Sequence, residues 1–336
     1  MRALLVTGGA GFIGANFVRH WRAAHADDPI TVLDALTYAG SRASLDGVPD
    51  IDFVHGDIRD QALVERLLAE RAIHTLVHFA AETHVDRSIR DPAAFVEANV
   101  LGTQALLLAA KAVWLDRGAG RPHRFHHVST DEVYGSLGEG DAPCSESGAY
   151  APNSPYAASK AASDHLVRAF HQTYGLEATM SHCANNFGPF QHPEKLIPLL
   201  LVNALEGRVL PIYGDGQNIR DWLDVADHCR ALGLVLHGAR PGERFNIGGG
   251  SEITNLALAR RLCAAVDRAF TTRLDLARRF PDAPPALGHP TSSLITLVAD
   301  RPGHDRRYAL DDDLIRARLG YAPAGGLDLG LATTLD

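Results

Sequence analysis

One stretch constrains the fold of this chain more than any other of its 336 residues: T-G-G-A-G-F-I-G, close to the N-terminus. An apolar run, L-L-V-T near 4–7, feeds directly into Gly8, Gly11 and Gly14, and the chain leaves them as an apolar helix, F-I-G-A-N-F-V-R-H-W. Glycines at that junction let backbone N–H groups approach an anion such as a pyrophosphate, and a helix N-terminus adds positive potential. A glycine triplet alone is a weak signal, so the context decides. Apolar runs at 30–34 (I-T-V-L-D), 52–57 (D-F-V-H-G-D), 75–80 (T-L-V-H-F-A), 124–130 (R-F-H-H-V-S-T) and 177–183 (E-A-T-M-S-H-C) alternate with longer helical stretches. That rhythm predicts an α/β chain with a parallel sheet covered on both faces.

The predicted architecture is Rossmann-like and doubly wound, so ligands belong beyond the carboxyl ends of the strands. From Asn186 onward the rhythm loosens, with Pro189, Pro193, Pro198 and Pro211 cutting the chain into short pieces, and a smaller lobe is expected there. The expected division is 1–185 for a dinucleotide-binding domain, with 222–250 returning to it, and 186–221 plus 251–336 for a substrate lobe. The Pro-rich stretch 280–290 reads as a surface loop or insertion, not a helix.

Asp34 follows the second run, twenty residues past Gly14, where a carboxylate can accept bonds from ribose hydroxyls and repel a 2′-phosphate. NAD is therefore the expected cofactor. Asp57, Ala80 and Ala81 fall along the same sheet edge; Asp57 alone reads equally well as a turn residue. Composition narrows the partners. A net charge of −8 without a basic cluster argues against nucleic acid. Apolar runs such as 105–110 fall short of the roughly 20 residues of a membrane span, and the N-terminus lacks the features of a signal peptide. A cytoplasmic protein is expected. The isolated cysteines 144, 183, 229 and 263 read as thiols, not disulfides. His126 and His127 alternate across a strand, so no metal site is expected.

Two further stretches suggest chemistry. In N-S-P-Y-A-A-S-K, Ser154 suits a helix cap and Pro155 the first turn, placing Tyr156 and Lys160 on one helical face, with Gly175 as the stop. An ammonium beside a phenol favours phenolate, which can take a hydroxyl proton. By spacing alone an incidental Tyr/Lys pair is the commoner case. In S-T-D-E-V-Y-G, Asp131 and Glu132 sit where a strand ends, a place where acids usually just meet water. The glycine turn and both stretches together favour a site.

These motifs resemble the extended short-chain dehydrogenase/reductase family. More narrowly, H-F-A-A-E-T-H-V-D-R-S-I, S-T-D-E-V-Y-G, Y-G-D-G-Q-N-I-R-D-W and D-R-P-G-H-D-R-R-Y resemble the dTDP-glucose 4,6-dehydratases, and the likeness spans nearly the whole chain. The resemblance implies that Tyr156, supported by Lys160, deprotonates a sugar 4-hydroxyl while C4 hydride passes to NAD. Glu132 then takes the C5 proton as Asp131 protonates the leaving 6-hydroxyl, and hydride returns to C6. Thr130 hydrogen-bonds the 4-hydroxyl. It further implies a cofactor set of Gly8, Gly11, Phe12, Ile13, Gly14, Asp34, Leu36, Thr37, Asp57, Ile58, Phe79, Ala80, Ala81, Thr83, Tyr156, Lys160 and Asn186. A nucleotide-sugar set of Thr83, Asn185, Lys195, Leu196, Pro211, Ile212, Tyr213, Arg220, Asn255, Arg301 and His304 follows too, and a homodimer through helices near 95–113 and 156–174. Departures exist: H-C-A-N-N-F-G replaces N-C-S-N-N-Y-G, and Asp224 and Ala226 change residues expected near the nucleotide. A nucleotide-sugar 4-epimerase shares Tyr156 and Lys160 but has no need of Asp131 and Glu132. A non-catalytic NAD-binding regulator needs none of the four.

Overall fold

The computed structural model describes residues 2–118, 121–273 and 275–335. Residues 1, 119–120, 274 and 336 lie outside it. Among the described residues, twelve strands run in chain order: β1 (Leu4–Thr7), β2 (Ile30–Asp34), β3 (Ile51–His55), β4 (Thr75–His78), β5 (Arg124–Thr130), β6 (Ala178–Cys183), β7 (Asn185–Phe187), β8 (Leu210–Tyr213), β9 (Ile219–Asp224), β10 (Arg244–Ile247), β11 (Glu252–Thr254) and β12 (Ile295–Val298). Seven of them form a parallel sheet in the order β10-β6-β5-β4-β1-β2-β3. After β1 the chain builds outward to β2 and β3, then returns to place β4 on the other side of β1. That reversal opens a crevice between β1 and β4 at their carboxyl ends, where such sheets bind ligands.

Register then decides what reaches the crevice. β4 ends at His78, opposite His127 of β5. β5 continues through Val128, Ser129 and Thr130, paired only with β6 on that side. The three extra residues carry the chain past the end of β4, so the turn Asp131–Tyr134 starts at the crevice wall.

Apolar packing covers both faces. Helices Phe12–Ala24 and Val225–Gly238 bury Phe17, Trp21, Leu232 and Val235 against one face; Gln61–Glu70, Pro92–Asp116 and Pro155–Tyr174 bury Leu67, Leu106 and Val167 against the other. Helix Pro92–Asp116 is long and apolar enough, by length and composition alone, to cross a membrane, unlike the shorter run read from the sequence. One of its faces packs on its neighbours, and Val96, Leu101 and Leu108 are left exposed. Two π-helical turns interrupt it, Val96–Leu101 and Lys111–Asp116. Such turns often mark functional positions. Here the first one carries Asn99, whose side chain bonds both the N–H and the C=O of Glu82 and the hydroxyl of Ser159, tying the loop after β4 to helix Pro155–Tyr174.

A smaller body follows, with β7, β9 and β11 in one sheet and β8 beside β12 in another, around Phe187, Leu200, Leu258 and Leu262. Two expectations change here. Asp224 serves as a helix cap: its carboxylate accepts from the N–H of Ala226 at 2.7 Å at the start of helix Val225–Gly238, under helix Gly326–Leu335, where Gly330 leaves room for it. The 280–290 stretch is not a plain loop. A 3-10 turn, Pro284–Leu287, follows the short helix Leu276–Arg279, and buried Leu276, Ala283 and Pro284 pin both to the lobe.

Helix Pro155–Tyr174 starts where the sequence predicts. Ser154 accepts a hydrogen bond from the N–H of Ala157 at 3.1 Å, Pro155 occupies the first turn, and Gly175 closes the helix in the left-handed region. Ser154→Ala is expected to cost about 1 kcal/mol of stability, read as a lower urea midpoint at unchanged slope.

Candidate active site

A cavity of about 490 Å³ runs along the crevice, and its wall draws on the glycine turn, the ends of β2, β4, β5 and β6, and helix Pro155–Tyr174. At the first end, the turn after β1 leaves no room for a side chain at Gly8 or Gly14. A Cβ on Gly8 would lie 2.6 Å from the backbone nitrogen of Ala80, and one on Gly14 would lie 2.2 Å from the carbonyl oxygen of Gly8. Helix Phe12–Ala24 has no side-chain cap, so its leading N–H groups remain available to an anion. Asp34 accepts from the N–H of Ala10 at 2.9 Å and of Leu36 at 2.8 Å, bracing the turn while lining the cavity. Leu36 adopts a positive φ and packs on the sheet core. Thr37, Asp57, Ile58, Phe79, Ala80, Ala81, Thr83 and Asn186 complete this wall. Asp57 is engaged by Arg59, which holds its carboxyl below the usual range. A glycine-rich backbone cradle, an uncapped helix end and a carboxylate at the second strand fit a dinucleotide such as NAD.

Thr130, Asp131, Glu132, Tyr156 and Lys160 line the same cavity. Asp131 is 4% exposed; Thr130 donates to its Oδ1 at 3.2 Å, and its Oδ2 is buried with no partner. Burial, followed by the neighbouring Glu132 charge, pushes Asp131 up to about 8. Burial raises Glu132 as well, with Arg220, Arg301 and Lys195 opposing. Adjacent in sequence, the two carboxyls thus differ in surroundings: Asp131 keeps one oxygen unpartnered and has Arg220 opposing its rise, whereas Glu132 faces Arg301 and Lys195 as well.

The phenol departs from expectation. Burial and then the Glu132 charge raise Tyr156 well above its ordinary value, with the Thr130 hydroxyl pulling the other way. Lys160 does not bond the phenol; its Nζ donates to the carbonyl of Val128 at 2.9 Å and lies 3.4 Å from Nε2 of His127. Burial lowers Lys160 to about 8, with Asp164 opposing the fall. The ammonium that was to stabilise phenolate therefore answers to the sheet.

Beyond the catalytic end, Lys195 donates to the carbonyl of Thr83 at 2.8 Å, and Asn185 and Leu196 line the cavity beside it. The remaining candidates sit outside that wall. Arg220 is buried, donates to the carbonyl of Asp305 at 2.9 Å and lies over the Tyr308 ring. Tyr213 donates to Asp86 at 3.2 Å, its ring meets His304 edge-on, and Arg301 stands 3.8 Å from Asp86. Asn255 opens helix Asn255–Thr272, and its backbone N–H donates to the carbonyl of Asn218 at 3.0 Å. Pro211 is half-buried on β8, and the side chain of Ile212 belongs to the apolar core of the lobe.

Buried polar atoms without a hydrogen-bond partner gather here: Asp131 Oδ2, Asn185 Oδ1 and Nε1 of Trp222 in the cavity, with Asn255 Oδ1 beyond; the carboxylate of Glu194, also buried in the wall, has the looser ion-pair contacts of Arg87 at 3.4 Å and His84 at 3.6 Å. Native interiors rarely leave so many unpaired. Their concentration fits a polar ligand. Glu194, Trp222, Asn99 and Asp164 escaped sequence reading; Asp164 alone had a signal, standing four past Lys160 on the face that carries Tyr156.

Comparisons with known proteins agree with this geometry. Residues 5–334 match the family described as GDP-mannose 4,6 dehydratase. A dTDP-glucose 4,6-dehydratase from Xanthomonas campestris pv. campestris (strain B100) is 51% identical, covering 100% of this chain and 93% of that protein. The crystal structure of a dTDP-glucose 4,6-dehydratase from Streptomyces venezuelae, solved with NAD bound, superposes with a TM-score of 0.85 at 49% identity, covering 100% of this chain and 96% of that one. A UDP-glucose 4-epimerase from Thermotoga maritima reaches a TM-score of 0.82 at 27% identity, covering 99% of this chain and 97% of that one. With the match running nearly end to end and half the residues shared with a full-length relative, the chain belongs to the GDP-mannose 4,6 dehydratase family.

Proposed function

We propose that the chain is an NAD-dependent nucleotide-sugar 4,6-dehydratase, a hydro-lyase acting on dTDP-glucose. The observation that carries this reading is the pair Asp131 and Glu132 in one cavity with Tyr156 and Lys160, in surroundings that separate the two carboxyls. NAD, held by the glycine turn and Asp34, would supply the hydride acceptor for C4, the donor for C6 and a positive charge in the cavity. Tyr156 accepts the 4-hydroxyl proton, and Lys160 holds the positive potential that makes this possible. Glu132, facing three cations, is the carboxylate that removes the C5 proton. Asp131, raised to about 8, is protonated at neutral pH and supplies the proton that leaves with the 6-hydroxyl as water.

Arg220, Arg301 and Lys195 fit a diphosphate by charge. Residues 1–185 with 222–250 form the cofactor-binding body in this reading, and 186–221 with 251–336 the nucleotide-sugar lobe. Free thiols at Cys144, Cys183, Cys229 and Cys263 suit a cytoplasmic enzyme. The exposed Val96, Leu101 and Leu108 on helix Pro92–Asp116 suit a homodimer face. Light scattering should give twice 36.1 kDa, and a monomer at micromolar concentration would remove that assignment.

Incubation with dTDP-, UDP-, GDP- and CDP-hexoses should yield a 4-keto-6-deoxy product, one water lighter, from dTDP-glucose. No product from any of the four sinks the reading, and 4-epimerisation without mass change restores the epimerase. Asp131→Asn should leave C4 oxidation detectable while slowing water loss by about 100-fold or more. The same variant tests the raised pKa. A carboxyl that holds its proton in the folded state up to about 8, but releases it near 3.8 when unfolded, makes the wild type progressively less stable as pH rises through that window. Asp131→Asn lacks this loss. Its advantage in chemical denaturation should grow by ~1 kcal/mol or more between pH ~5 and pH ~8.

A further inference from the structure

Behind the cavity lies a buried polar network that no step of the proposed reaction uses. Asp164, one turn past Lys160 on helix Pro155–Tyr174, is 1% exposed. Its Oδ2 accepts from Ser129 Oγ at 2.9 Å and Tyr150 OH at 3.0 Å, and stands 3.1 Å from His182 Nε2. Its Oδ1 lies 3.1 Å from His127 Nε2, out of line for a hydrogen bond. That same nitrogen is 3.4 Å from Lys160 Nζ. One imidazole nitrogen therefore separates the ammonium from the carboxylate.

The groups around Lys160 can be weighed element by element. On its own helix are Tyr156 and Asp164; β5 contributes His127, β6 Cys183 and β4 His78. Burial disfavours charge on both imidazoles, on the Cys183 thiol, which is pushed up to about 12, and on the phenol. Burial also works against the Asp164 charge, yet His127 and His182 together hold that carboxyl well below its ordinary range. Among these groups Asp164 alone is negative. Asp131 and Glu132 lie across the cavity, and Asp131 keeps its proton.

We propose that Asp164 is a positioning residue: its carboxylate, acting through His127, keeps Lys160 an ammonium inside a site dry enough to strip its charge. The proposal rests on the role given to Lys160 above. Across so short a path in a poorly screened interior, a carboxylate can move a lysine by about one pH unit or more.

A direct readout exists because the chain has only three lysines, 111, 160 and 195. Holoenzyme labelled with a magnetic isotope at the lysine ε-carbon should give three resonances, assigned by single Lys→Arg variants and titrated by NMR. The expected result is a Lys160 midpoint lower by about one pH unit or more in Asp164→Asn and largely restored in Asp164→Glu, while surface Lys111, paired with Asp116, stays put. In step with it, the alkaline limb of C4 oxidation should move to lower pH at unchanged KM. A folded, NAD-loaded Asp164→Asn with the wild-type midpoint overturns the proposal. Should that variant fail to fold, Tyr150→Phe decides: removing a donor from Oδ2 leaves more charge on the carboxylate, so the Lys160 midpoint should rise, and a fixed or falling midpoint overturns the proposal equally. Wild type that dehydrates no hexose sinks the proposed function instead, because the titration is read without substrate.

Discussion

Desolvation at the end of β5 is the constraint on which the rest of the site depends. Because β5 outruns β4, its last residues and the turn after them leave the sheet while still walled in by helix Pro155–Tyr174, and water is excluded from acids and bases alike. Burial penalises whichever form is charged, so it drives a carboxyl up and an ammonium down. Asp131 and Lys160 arrive at about 8 from opposite directions, with burial the largest cause for both. Two groups that would differ by more than six units in water become balanced near neutrality by one environment.

Such an interior is tolerable only if its charges have partners. Lys160 takes the Val128 carbonyl from the strand beneath it, and Asp164 collects hydroxyls from Ser129 and Tyr150. Asn99 adds a mechanical tie, joining the loop after β4 to the helix that carries the phenol. Its π turn lets a residue in mid-helix present its side chain and leave its own carbonyl to the hydroxyl of Ser163. The catalytic helix is thereby fixed on three sides, which is what holding reacting groups to within fractions of an ångström requires.

What the sequence made legible follows the range of the interaction. Gly8, Gly11 and Gly14, the Ser154 cap, the Gly175 stop and the Tyr156/Lys160 face are local patterns, fixed within one or two turns of chain, and they stand as read. The family likeness supplied Asp131 and Glu132 with roles that two adjacent acids could not announce. The partners of Asp164 come from β5, from residue 150 and from β6, and depend on the register of strands far apart in sequence. No spacing rule reaches that far. The core packing of Ile212 and the helix cap made by Asp224 were illegible for a related reason: a motif position does not say whether its side chain faces a core, a helix end or a cavity. Burial is the largest cause opposing the phenolate form of Tyr156, and Lys160 spends a donor on the Val128 carbonyl, a partner that the spacing of the two residues did not announce.

Proton accounting in the proposed reaction brings these threads to Thr130. The C4 hydrogen reappears at C6, and Glu132 can return to C5 the proton it removed. The 4-hydroxyl proton, however, stays on Tyr156, and the proton that left with water came from Asp131. Each turnover thus ends with the phenol one proton rich and the aspartate one proton poor. Before the next cycle a proton has to travel between them, directly or by way of solvent. Thr130 donates to Asp131 Oδ1 at 3.2 Å, and its hydroxyl is the hydrogen-bonding group that pulls against the rise of Tyr156. A hydroxyl that can accept from one neighbour while donating to the other has the chemistry of a bridge. In a cavity built to exclude water, a threonine at the strand end does more than finish β5: it stands between the two groups whose protonation must be exchanged.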